Sequence, residues 1–254
     1  LLGGDPLPMA TVGKDFEPYG VWMDGCDLTR RHITILDTEF TAQAFITTDL
    51  DDNQITAFHP GAMNFAHLNS IEDAEDVDIG IVAPDGRDGM IVHATQMFEA
   101  GIPFIFDPGQ GLPMFEGAEL KRFIDQATWV AVNDYEGQML QERTGWSAKE
   151  ISQHVEALIV TRGGEGSVIF ANGEEIVISP VEPAEILDPT GCGDAYRAGL
   201  MFGISRQMSW EDTGRLASLI GSIKIAHRGT QNHALSPETV GAAFEAAYGY
   251  AINL

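Results

Sequence analysis

The stretch Trp129-Val130-Ala131-Val132-Asn133-Asp134-Tyr135-Glu136 runs four apolar, β-prone residues into a polar helix start, and a helical segment continues over 135–144. A second apolar run, Ala157-Leu158-Ile159-Val160-Thr161, follows it. Neither run alternates apolar with polar residues, so both faces of each strand have to be covered, as in a parallel sheet clad with helices. The same rhythm extends upstream through Ile79-Gly80-Ile81-Val82-Ala83, a helix over 89–100 and Pro103-Phe104-Ile105-Phe106-Asp107. Downstream, Gly166-Ser167-Val168-Ile169-Phe170 and Glu175-Ile176-Val177-Ile178 flank Asn172-Gly173, the signal of a tight hairpin and an antiparallel margin.

The last third is helical. One helix is predicted over 194–206, with Ala195, Ala198, Gly199 and Phe202 on one face. A second begins after Ser209, with Leu216, Ile220 and Ile223 spaced for burial and Gly229 placed to close it. Ser236-Pro237-Glu238 opens a third, with serine as N-cap and proline at the first helical position. Near the beginning, 38–48 and 54–60 read as a β-hairpin turned at Asp49-Leu50-Asp51-Asp52-Asn53. Leu1-Leu2-Gly3-Gly4 reads as the end of a helix and its glycine cap, so further chain is expected before it. The expectation is one α/β domain over 1–254, doubly wound, with a small hairpin lid over about 38–60.

Bulk properties narrow the function. The 254 residues carry a formal charge of −24, which argues against a nucleic-acid partner, because such binding needs clustered Lys and Arg. No apolar run is long enough to span a membrane and no basic segment precedes an apolar one, so a cytoplasmic protein without a membrane partner is expected. Cys26 and Cys192 form no disulfide framework or zinc spacing, and the histidines (His32, His59, His67, His93, His154, His227, His233) show no ligand spacing and are expected at surface or ordinary polar positions. An acidic chain binds a nucleotide triphosphate where helix N-termini, its few cations and a divalent metal meet.

Ile186-Leu187-Asp188-Pro189-Thr190-Gly191-Cys192-Gly193-Asp194-Ala195 is such a place. A glycine-broken turn enters a helix, so the backbone N–H groups of Gly191, Cys192 and Gly193 can converge on phosphate oxygens. Asp194 is either a plain first-turn carboxylate or a general base that takes the acceptor hydroxyl's proton, and the two roles are compatible. Phe106-Asp107-Pro108-Gly109-Gln110 ends a strand where ligands bind in open α/β folds, which gives Asp107 a phosphate-side or substrate-side role, with an Asp-capped turn as the alternative.

These segments resemble the ribokinase-like (PfkB-type) family of carbohydrate and nucleoside kinases, whose signature is Asp-Thr-Thr-Gly-Ala-Gly-Asp. This chain departs at Pro189 and Cys192 and keeps both glycines and the last Asp. Asn133-Asp134-Tyr135-Glu136 resembles the family's Asn-x-x-Glu element, which implies Glu136 near magnesium through water and Asn133 near the phosphates; a simple helix start is the alternative. Thr161-Arg162-Gly163-Gly164-Glu165-Gly166 resembles the segment beside ATP, placing Thr161, Arg162, Gly163 and Gly166 at the nucleotide, or else forming only a turn. Ile225, His227 and Gly229 fall in the region that lines adenine. A potassium ion near the signature is also implied, with Asp188, Thr190 and the Gly229 carbonyl as its ligands, although Asp188 also suits a structural role. Arg162 or Lys224 would offset triphosphate charge unless they are solvated surface cations.

The resemblance implies a ribokinase-like, mostly parallel sheet flanked by helices, and transfer of the γ-phosphate of ATP, with magnesium, to a hydroxymethyl group of a sugar or ribonucleoside. It is nearest to bacterial adenosine kinase-like members. Gln43, Phe45 and Phe58 would share a hairpin face covering the acceptor, joined by Asp107 and Asp194; pairing across strands or a homodimer contact through the lid is the alternative. The family's Gly-Gly and Asn acceptor motif, with its first strand and helix, belongs upstream of Leu1. A non-catalytic nucleotide- or sugar-binding protein of the same fold is therefore the rival. No Gly-x-Gly-x-x-Gly follows a strand, and Pro8 stands where a Walker motif ending at Gly13-Lys14 needs glycine, so a dehydrogenase and a Walker-type ATPase are set aside.

Overall fold

The computed structural model describes residues 1–48 and 54–254; the hairpin turn expected at 49–53 lies outside the described residues. In chain order the elements are β1 (Met9–Gly13), α1 (Glu17–Gly25), β2 (His32–Leu36), β3 (Gln43–Thr48), β4 (Gln54–His59), β5 (Gly80–Val82), α2 (Arg87–Ala100), β6 (Phe104–Phe106), α3 (Gly117–Gln126), β7 (Trp129–Asn133), α4 (Asp134–Thr144), α5 (Ala148–Ile151), β8 (Ala157–Thr161), β9 (Ser167–Ala171), β10 (Glu174–Ile178), α6 (Cys192–Ser205), α7 (Trp210–Ile225) and α8 (Pro237–Tyr248). They fall into two compact units.

The larger unit comprises Leu1–Gly4, Asp78–Ile81 and Pro103–Leu254. Its strands lie in sequence order from β5 to β10. Strands β6, β7 and β8 are parallel, while β9 and β10 return antiparallel as the margin. Successive residues of these strands face opposite ways, and both faces are apolar. Ile105, Trp129, Ala131, Ala157 and Ile159 pack with Tyr196 and Leu200 of α6 and Ala217 of α7. On the other face Phe106 stacks on Phe123 of α3 at 4.5 Å between centroids. Each such side chain taken from water contributes about 1.5–3 kcal/mol, which is why unbroken apolar runs became strands here. The approach of α6 to α7 depends on Gly199, where a Cβ would stand 2.6 Å from the Ala217 Cα.

The smaller unit comprises Asp5–Val77 and Val82–Ile102. Strands β1 and β2 pair in parallel, and β3 and β4 form the expected antiparallel hairpin. The hairpin is thus part of a unit with its own helices and small core of Val12, Phe16 and Met23, larger than the isolated lid that the sequence suggests. Its register separates two aromatics expected on one face. Gln43 stands opposite His59 and Phe45 opposite Ala57, whereas Phe58 stands opposite Ala44. Because the pleat alternates faces, Phe58 lies on the reverse side from Gln43 and Phe45.

Two further expectations are corrected. His93 is buried, with Nε2 3.0 Å from the Asn69 carbonyl, so it is a satisfied core histidine. Helix α7 stops at Ile225, and Gly229, at φ +77, lies beyond it in the following turn. Among the described residues no helix is long and apolar enough to cross a membrane.

Candidate active site

The junction of β7 and α4 has a local cause. Asn133 terminates β7 and caps α4: its Oδ1 accepts from the Glu136 N–H at 2.7 Å, while Glu136 Oε2 accepts from the Asn133 N–H at 2.8 Å. This reciprocal capping box realises the helix-start reading and also orients Glu136. Burial pushes the Glu136 carboxyl above its ordinary value, against the Asn133 N–H and Arg197, which lower it.

Arg197 is the residue that sequence reasoning missed. It lies one turn after Asp194 on α6, and its Nε and Nη2 donate to Asp107 Oδ2 and Oδ1, both at 3.0 Å. Its Nη2 is also 4.0 Å from Glu136 Oε2. One buried guanidinium thus braces the ends of β6 and β7 against α6. The available signal was its place beside Leu200 and Met201, on the side of the helix opposite Ala195, Ala198, Gly199 and Phe202; an arginine among apolar neighbours needs a partner. Asp107 is 7% exposed, and burial raises its pKa against the pull of Arg197, with Asp194 raising it further. Each Asp107 oxygen accepts one hydrogen bond from Arg197, which gives the residue a bracing role beside the expected phosphate-side or substrate-side one.

The signature turn is fastened at several points. Asp188 Oδ1 accepts from the Thr190 N–H at 2.9 Å and Oδ2 from the Gly229 N–H at 2.8 Å. These backbone donors, Thr190 first, hold its carboxyl down at about 2. The Ile225 carbonyl accepts from the N–H groups of Leu187 and Asp188. Gly191 takes φ +83, a left-handed conformation that costs glycine least, just before α6. The Cys192 N–H donates to the Pro189 carbonyl at 3.1 Å, so one of the three expected phosphate donors is consumed by the turn. The first intrahelical bond is from Ala195 N–H to Gly191, which leaves the Gly193 and Asp194 N–H groups ahead of it at the positive end of the helix. The Asp194 carboxylate is exposed in this first turn. Burial pushes the Cys192 thiol up, away from reactivity.

Thr161 ends β8 in register with Asn133, so the two adjoin at one sheet edge. The Arg162 N–H donates to the Gly166 carbonyl at 2.7 Å, and Gly163 and Gly166 take φ +53 and +83, which builds the tight turn read from the sequence. Arg162 Nε is buried with no hydrogen-bond partner among the described residues. Lys224, expected as a phosphate counter-charge or a solvated cation, is neither: it is 0% exposed, with Nζ donating to the Asp188 carbonyl at 2.7 Å and to that of His227 at 3.4 Å. Its signal was spacing, four residues after Ile220 on the buried stripe of α7.

A groove of about 740 Å³ lies between the end of β10, α7 and α8, lined by residues that include Val181, Leu219, Ile223, His227 and Tyr248. Of the three residues expected near adenine, His227 lines this groove, and the Ile225 carbonyl and Gly229 N–H hold the signature turn. In the smaller unit, Gln43 Nε2 donates to Asp15 Oδ2 at 2.9 Å, and Asp15 Oδ1 accepts from the Thr41 N–H and hydroxyl, the backbone donor chiefly keeping its pKa low. Phe45 is 60% exposed.

The family model of the pfkB family carbohydrate kinases matches residues 1–237. A nucleoside kinase of Methanocaldococcus jannaschii is 29% identical over 236 residues, covering 91% of this chain and 77% of the relative. The structure of Burkholderia thailandensis nucleoside kinase in complex with inosine is 50% identical and superposes with a TM-score of 0.95, covering 98% of this chain and 82% of that one; the same enzyme has been solved in complex with ADP-inosine. Arabidopsis thaliana ribokinase, solved with ribose and ATP, shares the fold at 21% identity and a TM-score of 0.75, covering 93% of this chain and 81% of that one. With its signature turn, its braced α6 and a family match over most of its length, this chain belongs to the pfkB family of carbohydrate kinases.

Proposed function

We propose that this chain transfers the γ-phosphate of ATP to the hydroxymethyl oxygen of a purine ribonucleoside, with Asp194 as general base. The observation that carries the reading is the start of α6, where an exposed carboxylate stands beside the open Gly193 and Asp194 N–H groups at a helix N-terminus. Those donors and the helix dipole favour the anionic group being transferred. As the acceptor oxygen bonds to the γ-phosphorus, Asp194 takes its proton and the bond from phosphorus to the bridging oxygen breaks, releasing ADP. The Arg197 and Asp107 pair keeps α6 in place while this happens.

The groove beside His227 is of a size for the adenine and ribose of ATP. Arg162, whose Nε lacks a partner, supplies a cation next to the Thr161 edge. Among the described residues no group of three or more His, Cys, Asp or Glu is placed to hold a metal. Glu136 Oε2 is taken by the Asn133 N–H, which leaves Oε1 for a metal-bound water. The free Oε1 fits a magnesium ion that would accompany the nucleotide, be held by Glu136 through water and neutralise phosphate charge. A nucleoside acceptor is favoured by the 50% identity to a kinase solved with inosine and by Phe45, an exposed ring able to stack on a base.

ADP release measured with inosine, guanosine, adenosine, ribose and fructose tests the reading. Turnover with one or more purine nucleosides, exceeding that with either sugar, is expected. Turnover confined to ribose or fructose overturns the acceptor assignment, and no ADP release with any acceptor favours the binding-protein alternative.

A further inference from the structure

Asp188, one of the residues expected to hold a potassium ion at the signature, is already engaged by the chain itself. Both Asp188 carboxylate oxygens already accept a backbone N–H, from Thr190 and Gly229. The backbone oxygens of Asp188 and His227 converge instead on Lys224 Nζ, at 2.7 and 3.4 Å. An alkylammonium head and a potassium ion are close in size, carry the same charge and seek the same carbonyl oxygens, so one excludes the other from such a pocket. We propose that Lys224 is a built-in monovalent cation that positions the signature turn, and that phosphoryl transfer by this chain therefore needs no potassium.

The connections give the ammonium its leverage. Lys224 in the last turn of α7 holds the Asp188 carbonyl, the neighbouring Ile225 carbonyl holds the N–H groups of Leu187 and Asp188, and Gly229 closes on the Asp188 side chain. The segment 187–191 is thus clamped to the segment after α7, and a Cβ on Gly191 would meet Thr230 at 3.2 Å. Where this clamp sets the turn, it sets the start of α6 and with it Asp194. A buried ammonium is costly unless its donors are met. Here two carbonyls meet it, and the low-pKa Asp188 carboxylate belongs to the same turn. Lys224 is a positioning residue, since it touches the turn and not the reacting atoms.

The inference rests on the kinase reading, and two readouts separate their failures. ADP release from ATP and inosine is measured for the intact chain in tetramethylammonium, sodium, ammonium or potassium chloride at constant ionic strength. Unchanged wild-type kcat across the four salts is expected. Lys224→Ala is expected to lose about 10- to 100-fold in tetramethylammonium, the scale of a lost hydrogen bond to a charged group, and to recover in potassium or ammonium. Melting temperatures in the same salts are independent of turnover: potassium should raise that of Lys224→Ala relative to tetramethylammonium and leave the wild type unmoved. Wild-type turnover or melting that depends on potassium overturns the proposal, as does a folded Lys224→Ala that potassium and ammonium do not restore. If Lys224→Ala does not fold, the wild-type comparison decides alone. If no salt supports wild-type turnover, the kinase reading fails while the melting comparison still tests the cation.

Discussion

The signature turn of the larger unit and the hairpin of the smaller one are both short, both lack a hydrophobic core of their own, and are built in opposite ways. Within the turn, the Asp188 side chain, the Asp188 and Ile225 carbonyls, the Lys224 ammonium and the Cys192 N–H each have a specific partner. The hairpin is held by its ladder and by Asp15 at its base, and it leaves Phe45 and Ile55 exposed on one face and Ile46 and Phe58 on the other. Cross-linked polar groups hold a reacting atom to within fractions of an ångström, as phosphoryl transfer demands. A two-stranded ribbon with apolar faces suits adaptable contact with a ligand surface. In the proposed function the turn carries the chemistry and the hairpin the recognition, and substitutions in each can break that division.

The largest effect is expected at the turn. Asp194→Asn should lower kcat by about 10²- to 10⁴-fold, the usual contribution of a general base, while ATP binding measured by calorimetry stays near wild type. Equal turnover by the variant would remove Asp194 from the mechanism. Next comes the brace. Arg197→Ala strands the buried Asp107 carboxylate, and urea unfolding should show a loss of about 3–5 kcal/mol; a loss within about 0.5 kcal/mol, typical of a surface site, would mean that the pair holds nothing.

Smaller effects should follow at the hairpin. Phe45→Ala is expected to raise KM for the nucleoside about 2- to 10-fold, the worth of one aromatic contact, with kcat and melting temperature close to wild type. Phe58→Ala, on the reverse face, should leave KM unchanged, and equal effects of the two would refute a one-sided acceptor contact. The smallest expected effect is in the pH dependence of stability. The Asp188 carboxyl sits at about 2 when folded, below its ordinary 3.8. A depressed carboxylate stabilises the fold fully above its unfolded value and loses that contribution as pH falls toward the folded one. Between pH 3.8 and about 2, acid melts of Asp188→Asn should therefore fall less steeply than those of the wild type.

How much of this was readable in advance depended on whether the cause was local. Trp129-Val130-Ala131-Val132 and Ala157-Leu158-Ile159-Val160-Thr161 declare themselves as doubly covered strands, Asn172-Gly173 as a tight turn and Ser236-Pro237 as a helix start, because neighbouring residues settle each of these. The glycine-rich entry to α6 is legible for the same reason. The helix within 9–36 carries little local signal: α1 is short, contains Gly20 and begins beside Pro18, so its periodicity is weak.

The sequence by itself determined the α/β class, the family and the turn that ends in Asp194, since periodicity, capping and glycine placement act over a few residues. The tertiary structure alone decided the pairing of Arg197 with Asp107 across 90 positions, the conversion of Lys224 from an apparent surface cation into a buried clamp and the separation of Phe45 from Phe58 by register. Partner choice for a buried charge and the facing of a strand depend on which distant segments meet, and residue order within any one segment does not contain that.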